Sequence, residues 1–203
     1  MTLRAVIVLF DEIEVLDFAG PFEVLSTASR VARRQGLDAP FEVCTVAETA
    51  APVRARGGLR VTPDHTLADC PKADLLLVPG GDVTAALRRA PLIEWIAQRA
   101  AGAELTASIC TGAFLLAEVG QLRGRRVTTH WEDIDELARS YPDLEVVTGV
   151  RWVDIGDRVT SAGITAGIDM SLHLVARFAG MSLALATARQ MDFEWRTEAS
   201  TPA

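Results

Sequence analysis

The sequence predicts a doubly wound α/β sandwich, in which helices cover both faces of a mostly parallel β-sheet. Short runs rich in apolar and β-branched residues alternate with longer helical patterns, which is typical of strand–helix–strand units. These apolar runs have the composition of parallel strands that are buried on both faces. Two glycine-containing segments of alternating polarity predict added β-hairpins.

The elements follow in chain order. Strands are predicted at residues 5–10 (AVIVLF), 41–46 (FEVCTV), 74–78 (DLLLV) and 105–109 (LTASI). Helices are predicted over 21–34, 83–101, 111–119 and 134–140, with Pro21 and Pro91 near helix starts, where a missing amide hydrogen is least harmful. Hairpins are predicted at 53–61, around Gly57 and Gly58, and at 152–155 with 158–160. A final helical region begins near Thr165 and is broken at Gly180.

Length, charge and cysteine content limit the possible functions. A chain of 203 residues favours one domain, which we place at residues 1–197 with a short C-terminal tail at 198–203. The net charge of −7 argues against sequence-independent nucleic-acid binding. Three cysteines with no C-x-x-C pair indicate neither a disulfide framework nor a structural metal. The N-terminal apolar run is too short for a signal peptide or a membrane span, so we expect a cytoplasmic protein.

Ligand sites in such sheets form at the carboxyl ends of the strands. This rule brings together four loops: residues 11–20, 79–81, 110–111 and 161–167. The last of these loops (SAGITAG) is made largely of small residues, which let the backbone approach a ligand closely. Gly163 and Ile164 are therefore candidate substrate-contacting residues, although tight helix–sheet packing explains the same composition.

Cys110 stands where a predicted strand ends and a predicted helix begins. At this joint its sulfur would lie near the free amide hydrogens that open the helix, which favour thiolate over thiol. Ser108 and Gly112 suit the sharp strand-to-helix turn of a nucleophile elbow. The alternative is a buried cysteine that serves as a small apolar residue.

The dipeptide Gly80-Gly81 directly follows a predicted strand. Two glycines permit positive φ angles and leave amide hydrogens exposed, which suits an oxyanion hole beside Cys110. The alternative is a tight turn between strand and helix. The surrounding residues do not form a phosphate-binding glycine motif.

Three further side chains are candidates for proton transfer. Asp17 lies in an apolar stretch ahead of a predicted helix, where it either caps that helix or acts as a carboxyl group of raised pKa. Glu23, six residues on, faces the same cleft or lies on a solvated helix surface. His130, twenty residues after Cys110, either pairs with the thiolate or has a structural role.

Four segments together resemble the DJ-1/PfpI (ThiJ) superfamily, and within it the isonitrile hydratase group. They are LDFAGPFEV (16–24), LLLVPGG (75–81), SICTGAFLLAEVGQLRGRRVTTHW (108–131) and TSAGITAGIDM (160–170). The resemblance covers nearly the whole chain. It implies a flavodoxin-like three-layer sandwich, as in class I glutamine amidotransferases, and commonly a homodimer.

The resemblance also assigns roles to individual residues. Cys110 matches the family nucleophile, and Asp17 matches the acid of isonitrile hydratases, where many other members have Glu. Thr111 stands where protease-like members have His, and Gly80 and Gly81 match the turn that faces the nucleophile. These matches imply hydration of an isonitrile substrate to an N-substituted formamide through a thioimidate on Cys110. Asp17 would be the general acid and base, and no metal or organic cofactor would be needed.

Two alternatives stay open at this point. One is glyoxalase or deglycase chemistry on 2-oxoaldehydes, which usually accompanies Glu as the partner of the cysteine. The other is a non-catalytic sensor of small molecules or oxidation, because the same domain precedes the helix-turn-helix region of AraC-type regulators. Only 23 residues follow Gly180, so we expect no such DNA-binding region here.

Overall fold

A seven-stranded sheet forms the centre of the protein. The computed structural model describes residues 1–199, so residues 200–203 of the predicted tail lie outside the described part. The strands are β1 (Leu3–Val8), β2 (Phe41–Ala47), β3 (Val53–Arg54), β4 (Arg60–Val61), β5 (His65–Thr66), β6 (Leu75–Val78), β7 (Leu105–Ile109), β8 (Arg126–Val127), β9 (Glu145–Val146), β10 (Trp152–Asp154) and β11 (Arg158–Ser161). The order in the main sheet is β10-β11-β7-β6-β1-β2-β5, and its neighbours are parallel except β10 with β11.

Six helices within residues 1–199 complete the three layers. They are α1 (Val15–Arg34), α2 (Ala90–Gly102), α3 (Gly112–Glu118), α4 (Ile134–Ser140), α5 (Ala166–Ala179) and α6 (Met181–Gln190). α1 packs against α5 and α6, whereas α3 packs against α2. The arrangement is the predicted flavodoxin-like sandwich with added hairpins. None of the helices in residues 1–199 has both the length and the hydrophobicity needed to span a bilayer.

The middle of the sheet explains why its strands have such apolar sequences. Every residue of β6 and β7 is buried, and so are the last four residues of β1. Strands covered by helices on both faces have no solvent-facing side, so period-two alternation disappears. The prediction of parallel strands buried on both faces is confirmed.

Two predicted helix boundaries are wrong. α1 begins at Val15 rather than Pro21, so Pro21 lies inside the helix and part of the predicted 11–20 loop is helical. The helix is extended because Asp17, Phe18 and Gly20 are buried, and packing outweighs the preference of proline for a first turn. α2 begins at Ala90 rather than at residue 83, since a separate 3₁₀ turn occupies Ala86–Arg88.

The predicted hairpins and the final helical break are present. β3 pairs antiparallel with β4 across Gly57 and Gly58, whose φ angles are 74° and 88°. β10 pairs antiparallel with β11 at one edge of the main sheet. Gly180, with φ of 93°, separates α5 from α6. The short strand β5 and the parallel pair β8–β9 were not predicted, because two-residue strands carry no periodic signal.

Candidate active site

The loops that follow β1, β6, β7 and β11 meet at one edge of the sheet, as the topology predicts. A β-bridge joins Ile13 to Gly81, and the Glu14 amide donates to the Gly80 carbonyl oxygen at 2.9 Å. The Cys110 amide donates to the Ser161 carbonyl oxygen at 3.2 Å. Backbone hydrogen bonds therefore join the loops in two pairs, and the Gly81 amide connects the pairs by donating to Thr111 Oγ1.

Cys110 occupies a sharp turn between β7 and α3. Its φ of 55° is in the left-handed region, which a residue other than glycine rarely adopts. Gly112 opens α3 so close to β6 that a Cβ atom there would lie 2.0 Å from the Val78 carbonyl oxygen. The Cys110 side chain is buried, with 6% of the residue exposed, yet it lines a pocket. This backbone has the form of a nucleophile elbow.

The expectation of a thiolate at Cys110 is wrong for the resting protein. Burial and the nearby Asp17 carboxyl raise the pKa of the Cys110 thiol to about 12. Backbone N–H groups of Thr111 and Ile164 act in the opposite direction as hydrogen-bond donors to the sulfur. Their effect is smaller than the desolvation of the sulfur, and α3 has only seven residues. Cys110 is therefore a neutral thiol near pH 7.

Asp17 is a fully buried carboxyl group beside Cys110. Its Oδ2 accepts a hydrogen bond from the Gly80 amide at 3.1 Å, while its Oδ1 has no hydrogen-bond partner in the described structure. Burial raises the pKa of Asp17 from 3.8 to about 7, and Glu14 adds to the rise. The Gly80 amide and the Cys110 thiol oppose it. Asp17 therefore exchanges a proton readily near neutral pH.

The amides of Gly80 and Gly81 are not free to stabilise an oxyanion, contrary to the prediction. The Gly80 amide donates to Asp17, and the Gly81 amide donates to Thr111 Oγ1 at 2.8 Å. Thr111 Oγ1 in turn donates to the Gly81 carbonyl oxygen at 2.8 Å. The two glycines thus position the carboxyl and hydroxyl groups of the site. They must be glycine because a Cβ atom at Gly80 would lie 2.5 Å from the Thr111 nitrogen, and Gly81 has φ of 136°.

The loop after β11 supplies the amide that the glycines cannot. Ile164 has φ of 49°, an uncommon angle for a β-branched residue, and its backbone N–H acts to lower the pKa of the Cys110 thiol. Gly163 leaves room for the ring of His130, since a Cβ atom there would lie 2.0 Å from His130 Cδ2. Both residues therefore lie at the site, and Ile164 contributes through its backbone rather than its side chain.

His130 lies at the pocket, held by its neighbours. Thr129 Oγ1 donates to the Cys110 carbonyl oxygen at 2.9 Å, which attaches the segment to the elbow. His130 Nδ1 lies 3.3 Å from an Asp133 carboxylate oxygen and accepts a long hydrogen bond of 3.4 Å from the Glu132 amide. The Glu132 amide therefore helps to hold the imidazole, and burial raises the pKa of the neighbouring Asp133.

Glu23 lies away from this group. Its carboxylate accepts from Thr27 at 2.8 Å and Arg30 at 3.2 Å on an exposed part of α1. Glu23 does not line the pocket at Cys110. Among residues 1–199 there is no cluster of three histidine, cysteine or acidic side chains suited to a metal ion.

The pocket at Cys110 has a volume of about 180 Å³. Its lining includes four charged residues that the sequence did not single out: Glu14, Arg56, Glu132 and Asp133. A larger pocket of about 350 Å³ lies beside the ends of β1 and β2, but neither Cys110 nor Asp17 lines it. We assign the chemistry to the smaller pocket because Cys110 lines it, and the raised-pKa carboxyl of Asp17 interacts with that thiol from the buried side.

Comparison with known proteins agrees with this fold. Isonitrile hydratase from Pseudomonas putida is 33% identical over 199 residues, which cover 95% of this chain and 79% of that protein. The HTH-type transcriptional regulator CdhR from Pseudomonas aeruginosa is 36% identical over 176 residues. The chain spans about half the length of that regulator, 51%, and 87% of this chain is matched.

A crystal structure of a ThiJ/PfpI family protein from Pseudomonas syringae superposes with a TM-score of 0.85 at 28% identity. The superposition covers 97% of this chain and 77% of the Pseudomonas syringae chain. The sequence itself matches the DJ-1/PfpI family over residues 3–177. The chain therefore belongs to the DJ-1/PfpI family.

Proposed function

We propose that the protein hydrates small isonitriles, R–N≡C, to N-substituted formamides, with Cys110 as nucleophile and Asp17 as general acid and base. The observation that carries the proposal is the buried Asp17 carboxyl, whose pKa of about 7 suits proton transfer in both directions beside the thiol. The similarity to isonitrile hydratase over nearly the whole chain supports the choice of substrate.

The first step forms a thioimidate. Because the Cys110 thiol has a pKa of about 12, Asp17 must take its proton as the sulfur attacks the terminal isonitrile carbon. Asp17 then donates this proton to the same carbon. The product is R–N=CH–S–Cys110. A C–S bond and a C–H bond have formed, the S–H bond has been broken, and the carbon–nitrogen triple bond has become a double bond.

The second step releases the product. Asp17, again a carboxylate, takes a proton from water as the water oxygen attacks the thioimidate carbon, and passes that proton to nitrogen. The tetrahedral adduct R–NH–CH(OH)–S–Cys110 then breaks its C–S bond. The hydroxyl proton returns to sulfur through Asp17, which leaves R–NH–CHO and the Cys110 thiol. One water molecule is consumed, and the protein returns to its starting state.

The remaining residues of the site have positioning roles in this proposal. The N–H groups of Thr111 and Ile164 stabilise negative charge as it develops on sulfur. The Thr111 hydroxyl holds the Gly81 segment, and Gly80 holds Asp17 through its amide. His130 and Asp133 border the pocket and support a bound substrate. A site with this chemistry needs no metal or organic cofactor.

A second candidate function is the binding of a small molecule without turnover. Two observations favour it: the similarity to a transcriptional regulator over 87% of this chain, and the raised pKa of Cys110, which makes the resting thiol a slow nucleophile. The raised pKa argues against a peroxide sensor, because oxidation requires thiolate.

The decisive test is an assay of purified protein with methyl isocyanoacetate, with formamide measured by NMR. We expect turnover that is lost in Cys110→Ala and kept in Cys44→Ala, since Cys44 is a buried thiol in β2. Failure of the wild type to exceed Cys110→Ala would exclude the hydratase. Turnover of methylglyoxal would then identify 2-oxoaldehyde chemistry, and saturable binding without turnover would identify the sensor.

We also propose that the protein acts in the cytoplasm as a homodimer and binds no nucleic acid through this domain. The net charge of −7 supports the last point. Light scattering coupled to size-exclusion chromatography distinguishes a dimer from the 21.8 kDa monomer.

A further inference from the structure

We propose that the Cys110 pocket selects small neutral or cationic molecules and discriminates against anionic ones. The inference rests on the proposed function for the identity of the reaction, but its physical basis is the charge of the pocket lining. A substrate would carry a neutral or positively charged substituent on the isonitrile nitrogen. An isonitrile carboxylate would be a poor substrate.

The pocket lining is acidic. Of the lining side chains in the described part of the chain, three carry a carboxylate, Glu14, Glu132 and Asp133, and one carries a guanidinium, Arg56. Arg56 lies 3.7 Å from Glu14, so its charge is offset by that carboxylate. Glu132 and Asp133 both lie beside His130 Nδ1, at 3.8 Å and 3.3 Å.

Partial burial strengthens the electrostatic effect of the carboxylates relative to that of Arg56. The side chains of Glu14 and Asp133 are only 25% and 29% exposed, whereas that of Arg56 is 56% exposed. Charges that are partly removed from water are screened less, so these two partly buried carboxylates act more strongly inside the pocket than the exposed guanidinium. Asp17, which interacts with the Cys110 thiol, adds a further negative charge above pH 7.

The volume of the pocket limits the size of the ligands that it can hold. The volume of about 180 Å³ equals the liquid volume of about six water molecules, and pockets for larger organic ligands usually exceed about 300 Å³. The lining is fixed by the two hydrogen bonds between Gly81 and Thr111 Oγ1 and by the strained turn at Ile164. In a ligand of this size the substituent lies close to Asp133 and Glu14, so any charge on the substituent interacts with these two carboxylates.

The charge of the pocket can be measured without isonitrile chemistry. Two methanethiosulfonate reagents of similar size, one ending in trimethylammonium and one in sulfonate, modify thiols by the same displacement of methanesulfinate. We would measure both rates at Cys110 by peptide mass spectrometry at pH 8 and low salt, and divide each by its rate with free cysteine. The corrected ratio should favour the cation about tenfold or more, and 0.5 M salt should reduce it.

Variants of the lining should move this ratio in opposite directions. Replacing the two acids together, in Glu132→Gln with Asp133→Asn, should lower the cation preference about tenfold. Arg56→Gln should raise it. Glu94→Gln, on α2, removes the same charge from a residue that does not line the pocket and should leave it unchanged.

The corresponding isonitrile experiment compares methyl isocyanoacetate with the isocyanoacetate anion. We expect kcat/KM for the ester to exceed that for the anion about tenfold or more. The ratio of the two values should be larger in Arg56→Gln. If no isonitrile reacts but the thiosulfonate ratio holds, the proposed function fails and the charge selectivity stands. The selectivity is overturned if the sulfonate reagent reacts as fast as the trimethylammonium reagent, if the variants leave the ratio unchanged, or if neither reagent reaches Cys110.

Discussion

Replacing Asp17 by Asn should have opposite effects on the reactivity of Cys110 and on turnover. The pKa of the Cys110 thiol is raised from 9.0 to about 12, and the Asp17 charge is the second largest cause after burial. At the high pH where the thiol titrates, Asp17 is fully ionised, because its own pKa is about 7. The variant removes this negative charge and should therefore make the thiolate easier to form.

The size of the effect follows from the Coulomb energy of two neighbouring unit charges. Unit charges about 4 Å apart interact by about 1 kcal/mol in water and about 4 kcal/mol at an effective dielectric constant of about 20. One pKa unit corresponds to about 1.4 kcal/mol, so the pKa of Cys110 should fall by about one to three units in Asp17→Asn. Turnover should nevertheless fall by about 10² or more, since the proton carrier is lost.

The measurement is the rate of Cys110 alkylation by iodoacetamide as a function of pH, alongside formamide production. Glu23→Gln is the matched control, because Glu23 lies on the same helix but is exposed and away from the pocket. Two results would refute the reasoning: a thiol pKa in Asp17→Asn that stays at the wild-type value or rises, or turnover that increases with the alkylation rate. The second would mean that a free thiolate alone limits the reaction.

Three further outcomes are expected. Thr111→Val should lose both hydrogen bonds to Gly81 and destabilise the protein by about 1–3 kcal/mol in urea unfolding, whereas Thr111→Ser should keep most of the stability. Gly163→Ala should displace the His130 ring, visible as a changed imidazole NMR signal, and lower the melting temperature. The pKa of Asp17 is higher in the folded state than in the unfolded state, so protonation of Asp17 favours folding. This contribution to the free energy of unfolding is fully present below pH 3.8 and is lost as the pH rises through about 7. Asp17→Asn should therefore be more stable than wild type at pH 8, by up to about 4 kcal/mol, with little difference near pH 3.8.

The parts of the molecule predicted well are those determined by local pattern. β6 and β7 are buried throughout, so their apolar runs marked them without ambiguity. Cys110 was found because a strand end, a small-residue turn and a helix start adjoin in the sequence. The start of α1 was missed, because burial of Phe18 and Asp17 against the rest of the protein outweighs the signal of Pro21.

The chemistry of the site was predicted less well, since it depends on residues far apart in the chain. The thiolate expectation considered only the helix start beside Cys110, whereas burial and a carboxyl group 93 residues earlier raise the pKa of the thiol. Likewise, the amides of Gly80 and Gly81 looked free because their acceptors, on Asp17 and Thr111, lie 63 and 30 residues away. Arg56 and Asp133 reach the pocket from a hairpin and a 3₁₀ turn that carry no catalytic motif.

The left-handed backbone of Ile164 has a consequence for attempts to make the protein more robust. A β-branched residue at φ of 49° stores backbone strain, so a glycine at this position would relieve the strain in the folded chain. The same replacement would loosen the turn that directs an amide hydrogen at the Cys110 sulfur. Directed evolution for heat tolerance and directed evolution for activity should therefore diverge at residue 164. A library screened only for survival at high temperature would enrich substitutions there that weaken the reactive centre.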